Sequence, residues 1–228
     1  MAGRISVDEI QSRVAAITDL DENTSSISSA DYSLRLKYIN MAVKEWSEIN
    51  RWRALFSEYN VLISTSTGNA SVVLPDNFRS IAGYPLITYD GVTTDKFAEV
   101  RAEEDNQYAD TDKRFWLLGN PNSGYILRVF GTTLVSGASV KVPYYKAPAS
   151  LVSPANLVDV PNADYVVQRT TAAIWESRED PRFPQAKVEA ERILQNMIEY
   201  ENVFSRASDA DRAKTVEQTK YNFRIGRD

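Results

Sequence analysis

The chain has 228 residues, 43% of them hydrophobic and 25% charged, with a net charge of −5. That length suffices for one large or two small domains, and the balance is that of a folded chain, not a disordered one. It contains no cysteine and no histidine, which excludes disulfides, thiolate or imidazole metal sites and histidine acid–base catalysis. An enzyme built on this chain would have to run on carboxylates, Lys, Tyr, Ser or Arg. No run of Lys and Arg forms the basic face that grips a nucleic-acid backbone. The opening MAGRISVDEIQ lacks the apolar stretch of a signal peptide, and no apolar run approaches membrane-spanning length. The glycosylation sequons at Asn23 and Asn69 are then chance matches.

Ser6-Val7-Asp8-Glu9 reads as a capping box, with Ile5 and Ile10 placed as a hydrophobic staple around it. Val7, Ile10, Val14 and Ile17 recur at helical spacing, and the polar stretch from Asp19 to Ser26 ends the helix. A second helix starts near Ser29. Leu34, Tyr38, Met41, Ala42, Trp46, Ile49 and Trp52 fall on its apolar face, with Lys37, Lys44, Glu45, Glu48 and Arg51 mostly off it. Trp46 and Trp52 are expected in the core.

From Leu55 the period changes. Tyr59 to Thr67, a Gly68-Asn69 turn and Ser71 to Leu74 predict a hairpin. Ile81 to Tyr89 predicts a strand that Pro85 confines to an edge or a bulge. Asp90-Gly91 turns into Val92 to Phe97, and Glu99 to Ala109 predicts a short helix or loop. Phe115 to Leu118 and Tyr125 to Phe130 flank Gly119 to Gly124 as another hairpin, and Ala138 to Tyr145 adds a strand. Prolines 143, 148, 154 and 161 mark the exit. A third helix starts at Pro161 or Asn162, carries Val166, Val167, Thr170, Ala173 and Ile174, and ends before Pro181. A fourth, from about Pro184 to Arg206, has Ala186, Ala190, Ile193, Leu194, Met197 and Phe204 as its stripe. Beyond it only Val216, Tyr221, Phe223 and Ile225 offer apolar anchors, which predicts a partly helical tail unable to bury itself.

The fold class is therefore α+β: a discontinuous helical bundle of N- and C-terminal helices (1–54 and 150–206), an inserted small antiparallel β barrel or sandwich (55–149) and an extended C-terminal tail (207–228). No catalytic constellation emerges. GxGxxG, the P-loop and GxSxG are all missing from the sequence. Asp19-x-Asp21-x-Asn23 opens like a calcium loop, but Thr24 replaces the turn glycine and Ala30 the closing glutamate. Glu103-Glu104-Asp105, Glu179-Asp180 and Glu199 with Glu201 read as solvated faces, and no cofactor is expected. A cell-wall hydrolase would need two buried carboxylates facing one cleft. The aromatics sit at core spacing without interleaved Lys or Arg, against a stacking platform for nucleic acid.

Several stretches, in order, resemble the head–tail adaptor (connector) family of tailed phages, most of all its tail-tubular-A type. These are Asn40-Met41-Ala42 with Trp46 and Trp52; Leu74-Pro75-Asp76-Asn77-Phe78-Arg79; Tyr144-Tyr145-Lys146-Ala147-Pro148-Ala149-Ser150-Leu151; and Asp159-Val160-Pro161. Each alone is weak, and their order carries the likeness. The resemblance implies a non-enzymatic virion protein at the head–tail junction, made in the host cytoplasm. It implies a ring, typically dodecameric, that joins the portal to a tail nozzle or tail tube and lets DNA pass without specific binding. It also implies that the tail docks on the portal or on a neighbouring subunit, with Tyr221, Phe223, Arg224 and Ile225 as portal contacts. The turns at Gly68-Asn69, Asp90-Gly91 and Asn120 to Gly124 are candidates for the tail-facing side. A different neck or head-completion protein is the nearest alternative.

Overall fold

The computed structural model describes residues 4–18, 28–63, 69–83, 85–89, 93–107, 112–131 and 137–224. The calcium-loop-like stretch at Asp19 to Asn23, the Gly68 and Asp90-Gly91 turn residues and Ile225 lie outside them. The chain divides into two compact units, Met1–Arg53 with Ser150–Asp228, and Ala54–Ala149.

The first unit holds four helices: α1 (Val7–Thr18), α2 (Ser29–Ile49), α3 (Ala163–Ser177) and α4 (Phe183–Arg224). The Ser6 hydroxyl accepts the Glu9 amide at 3.2 Å, the first half of the capping box. The second half is replaced: Glu9 Oε1 accepts from Arg13 instead, at 2.7 Å. The free amides of the first turn are met by chain neighbouring α3, since Val7 and Asp8 donate to the carbonyls of Asn156 and Pro154. Ile5 and Ile10 are both buried, as the staple requires.

Helix α2 is capped by the Ser28 hydroxyl, which accepts from the Asp31 amide. Its C-terminus is closed by a side chain. The Trp52 indole donates to the Trp46 carbonyl at 2.6 Å, one of the last-turn carbonyls with no helical partner. The two rings stack with centroids 5.1 Å apart, and both are buried. Which face of α2 is buried differs from the sequence expectation. Arg35, Ile39, Ala42, Val43, Trp46 and Ser47 point inward, while Leu34, Met41 and Ile49 are exposed.

Helix α3 ends in a full Schellman turn. Glu179 donates to the Glu176 carbonyl and Asp180 to the Trp175 carbonyl. The motif places Glu179 at φ 56°, in the left-handed region where a Cβ is penalised. Glu179→Gly is therefore expected to stabilise the protein by about 0.5–1 kcal/mol, read as a raised urea midpoint at unchanged slope. Pro181 then prevents the helix from continuing. Asp180 accepts from Arg182 through both its amide and its guanidinium, and Arg182 lies over the Trp175 ring at 4.4 Å.

Helix α4 runs unbroken to Arg224, so the expected boundary at Arg206 is not an end of helix. Its buried residues are Ala186, Ala190, Ile193 and Met197, and Asn202 and Val203 are already exposed. After Phe204 the positions that would continue the stripe by helical period, 208, 211, 215, 218 and 222, are Ser, Asp, Thr, Gln and Asn.

Among the described residues the second unit holds nine strands in two open sheets, with no closed barrel. They are β1 (Phe56–Leu62), β2 (Asn69–Val73), β3 (Phe78–Ile81), β4 (Leu86–Tyr89), β5 (Thr93–Lys96), β6 (Ala98–Glu99), β7 (Arg114–Asn120), β8 (Gly124–Phe130) and β9 (Ser139–Lys146). One sheet is ordered β1-β9-β4-β5 with β3 also on β9; the other is β2-β8-β7-β6. Val72, Phe115, Leu127 and Val129 of one sheet share a buried core with Phe78, Val140, Val142 and Tyr144 of the other, which makes the unit a small sandwich.

Two hairpins form as expected, β4–β5 and β7–β8. The first expected hairpin does not. β1 ends at Leu62 and pairs with β9, while β2 pairs with β8 in the other sheet. Proximity in sequence pointed to a pair that burial on opposite sheets overrides. The pairing is antiparallel except between β6 and β7, which run parallel.

Pro85 lies in the gap between β3 and β4, which share one side of β9. That gap explains a proline inside the central strand. The Pro143 carbonyl accepts from the Ala82 amide, so its donor-less nitrogen faces the same side, where no strand asks for a hydrogen bond. At the β7–β8 turn the Asn120 side chain accepts from the amides of Asn122 and Ser123. A Cβ at Gly119, whose φ is +107°, would run into the Gly124 carbonyl.

Candidate assembly interface

Within each unit, stretches that carry the family resemblance touch one another. Asn40 on α2 reads the backbone of Leu151 in both directions: its amide donates to the Leu151 carbonyl at 2.9 Å, and its oxygen accepts the Leu151 amide at 2.9 Å. In the β unit the Asn77 side chain accepts from the Tyr144 hydroxyl, its carbonyl accepts from Ala147, and Phe78 stacks on Tyr144. Asp159 pairs with Arg4 at 3.2 Å. These residue types are thus needed for packing and backbone pairing, not for chemistry. Asn40→Ala is expected to cost about 2 kcal/mol in chemical denaturation, because it leaves both Leu151 backbone groups without their partner in a part-buried place.

No chemistry assembles around the carboxylates. Arg182 holds the Asp180 carboxyl at about 2 through a side-chain hydrogen bond, and Arg192 likewise lowers that of Glu189. A general acid needs the opposite displacement, upward by burial. Glu201 accepts from the Arg53 amide and guanidinium, tying α4 to the end of α2. Arg169 grips Glu45 with two hydrogen bonds of 2.7 and 2.8 Å, which fix α3 on α2. Among the described residues no group of three or more acidic side chains could hold a metal ion. No described helix is long and apolar enough to cross a membrane.

What the molecule does display is apolar surface. On α2, Leu34, Met41 and Ile49 are 43%, 44% and 51% exposed; with half-buried Tyr38 they recur at helical spacing as one ridge, interrupted between Met41 and Ile49 by Glu45, which Arg169 holds. On the outer face of the second sheet, Val73, Ile126 and Leu118 lie in register across β2, β8 and β7, and all three are exposed. Trp116 and Phe130 stack on that same face, 4.1 Å apart. A groove of about 530 Å³ runs between α1, α3 and α4, floored by Ile17, Val167 and Ile193 and rimmed by Arg13, Asp164, Glu189 and Arg192.

Of the expected portal contacts, Tyr221, Phe223 and Arg224 are placed in the last turn of α4. The ridge and the sheet row were not singled out in the sequence as surfaces. The ridge residues are legible there only as an apolar stripe, which reads as core.

The fold combines a helical unit and a β sandwich, each with exposed apolar residues on its surface. The chain belongs to the SU10 adaptor protein family, whose profile matches residues 5–218. Membership implies a structural role as a phage adaptor that contacts other head or tail proteins. No curated protein matches the sequence significantly.

Proposed function

We propose that the chain is a head-to-tail adaptor: copies form a ring, of about a dozen by analogy with similar adaptors, that joins the portal to a tail nozzle or tail tube and extends the DNA channel. The single observation that carries this reading is the family match over nearly the whole chain. Lateral contact between copies supplies a use for the exposed apolar ridge and sheet row. The net charge of −5 suits a channel through which DNA passes without being gripped. The C-terminal segment, with Tyr221, Phe223, Arg224 and Ile225, docks on the portal. The protein acts without catalysis.

Mass photometry of the purified chain, alone and with the portal of the same phage, tests the reading. The portal peak is expected to gain the mass of one ring. No gain at micromolar protein would demote the adaptor reading below that of another neck component.

A further inference from the structure

The helical unit carries two apolar features that its own fold leaves unfilled, and they differ in shape. One is the convex ridge of Leu34, Tyr38, Met41 and Ile49 on α2. The other is the concave groove floored by Ile17, Val167 and Ile193. The ridge cannot turn into its own groove, because the inward face of α2, with Ile39, Ala42 and Trp46, anchors it in the bundle.

We infer that neighbouring copies meet ridge to groove: α2 of one copy lies in the α1/α3/α4 groove of the next. This rests on the adaptor reading and names its lateral contact. Three observations favour a second copy as the occupant.

The first is topological. A ridge filling a groove joins two different surfaces, so each added copy still offers one ridge and one groove. Such a contact propagates until the rotation closes a ring, whereas a ridge-to-ridge contact stops at a dimer. The second is size. From Leu34 to Met41 the uninterrupted apolar part of the ridge runs about 10 Å along the helix, with Ile49 beyond Glu45, and the 530 Å³ groove has room for large side chains entering from it. The third is charge. Lys37 and Lys44 flank the ridge, and Lys37 forms no ion pair among the described residues. The groove rim presents Asp164, of which Arg13 holds only Oδ1, at 3.3 Å. A lysine can reach the other oxygen, and the exposed pairs give the contact register more than strength.

The absence of cysteine makes the test clean, because any thiol introduced is the only one. Met41→Cys and Asn196→Cys place single thiols on the ridge and at the groove. The two full-length variants, one carrying a size tag, are mixed, added to the portal and mildly oxidised. A mixed 41–196 disulfide is expected, formed only when both variants are present and without loss of the portal's mass gain. Met41→Glu, on an exposed helix position, is expected to keep its circular dichroism and to weaken ring assembly at least tenfold.

A normal portal complex with no 41–196 product, or with 41–41 product instead, overturns the ridge-to-groove contact and leaves the adaptor reading standing. If the unmodified chain adds no mass to the portal, the adaptor reading fails. The same oxidation of the free protein at high concentration then still decides the contact, which is overturned if only same-variant disulfides or none appear.

Discussion

Removing residues 208–228 is expected to abolish docking on the portal while both compact units keep their stability. The bundle is expected to gain little from that stretch. Among the described side chains of α4 the last buried one is Met197, Glu201 accepts from Arg53 just beyond α2, and Asn202 and Val203 are exposed. Beyond Phe204 the stripe positions turn polar. A helix stretch of that length with no apolar face of its own is marginal in water. Its stability has to come from whatever it meets, which is why a partner is expected there. Truncation should therefore move the urea midpoint by no more than the equivalent of about 0.5 kcal/mol. In mass photometry the portal peak should lose its gain entirely. A truncated chain that still loads the portal would move the docking surface away from Tyr221, Phe223, Arg224 and Ile225.

Trp46→Ala is expected to remove about 3–5 kcal/mol of stability, enough to unfold a marginal protein near physiological temperature. Trp46 is fully buried, and its ring is covered by that of Trp52. The substitution opens a large cavity and strips the second ring of its stacking partner. Trp52→Phe separates the two contributions. It retains an aromatic surface on Trp46 but deletes the indole N–H that closes the C-terminus of α2. That loss should cost about 1 kcal/mol plus a small packing term. Far-ultraviolet circular dichroism against urea measures both, since removing a tryptophan compromises fluorescence as a probe. Equal losses for the two variants would mean that the hydrogen bond, not the stack, holds this end of the bundle.

The elements with local causes were readable in the sequence. Ser6 and its staple, the Pro181 stop and the Asn120 to Gly124 turn each depend on a few adjacent residues, and each stands where expected. What depended on distant partners was not readable. Tyr59 to Thr67 and Ser71 to Leu74 are separated by a turn signal, yet the strands they contribute to belong to different sheets, because each buries its inward residues against a different layer. On α2, apolar residues occur on more than one side. Ala42 and Trp46 fit both candidate stripes, and the decision rests on Arg35 and Ser47 being tolerated inside. Gln11, fully buried among apolar neighbours of α1, is another inward polar residue that no periodicity announces. The surfaces followed the same rule. An exposed ridge is written in the same letters as a core stripe, and only the three-dimensional packing tells them apart.

The hub position of β9 has a consequence for the order in which the chain can be built. This strand pairs with β1, β3 and β4, yet it is the last of the nine to leave the ribosome. β1 and β3 must wait, unpaired, until it emerges, and β4, which can pair with β5 first, waits for its second neighbour. Helices α1 and α2 wait longer still for α3, which follows the whole β segment. Contacts this remote in sequence make folding slow, and the nascent chain is vulnerable meanwhile through its open strand edges. The proposed ring therefore depends on each copy finishing synthesis before it can be recruited.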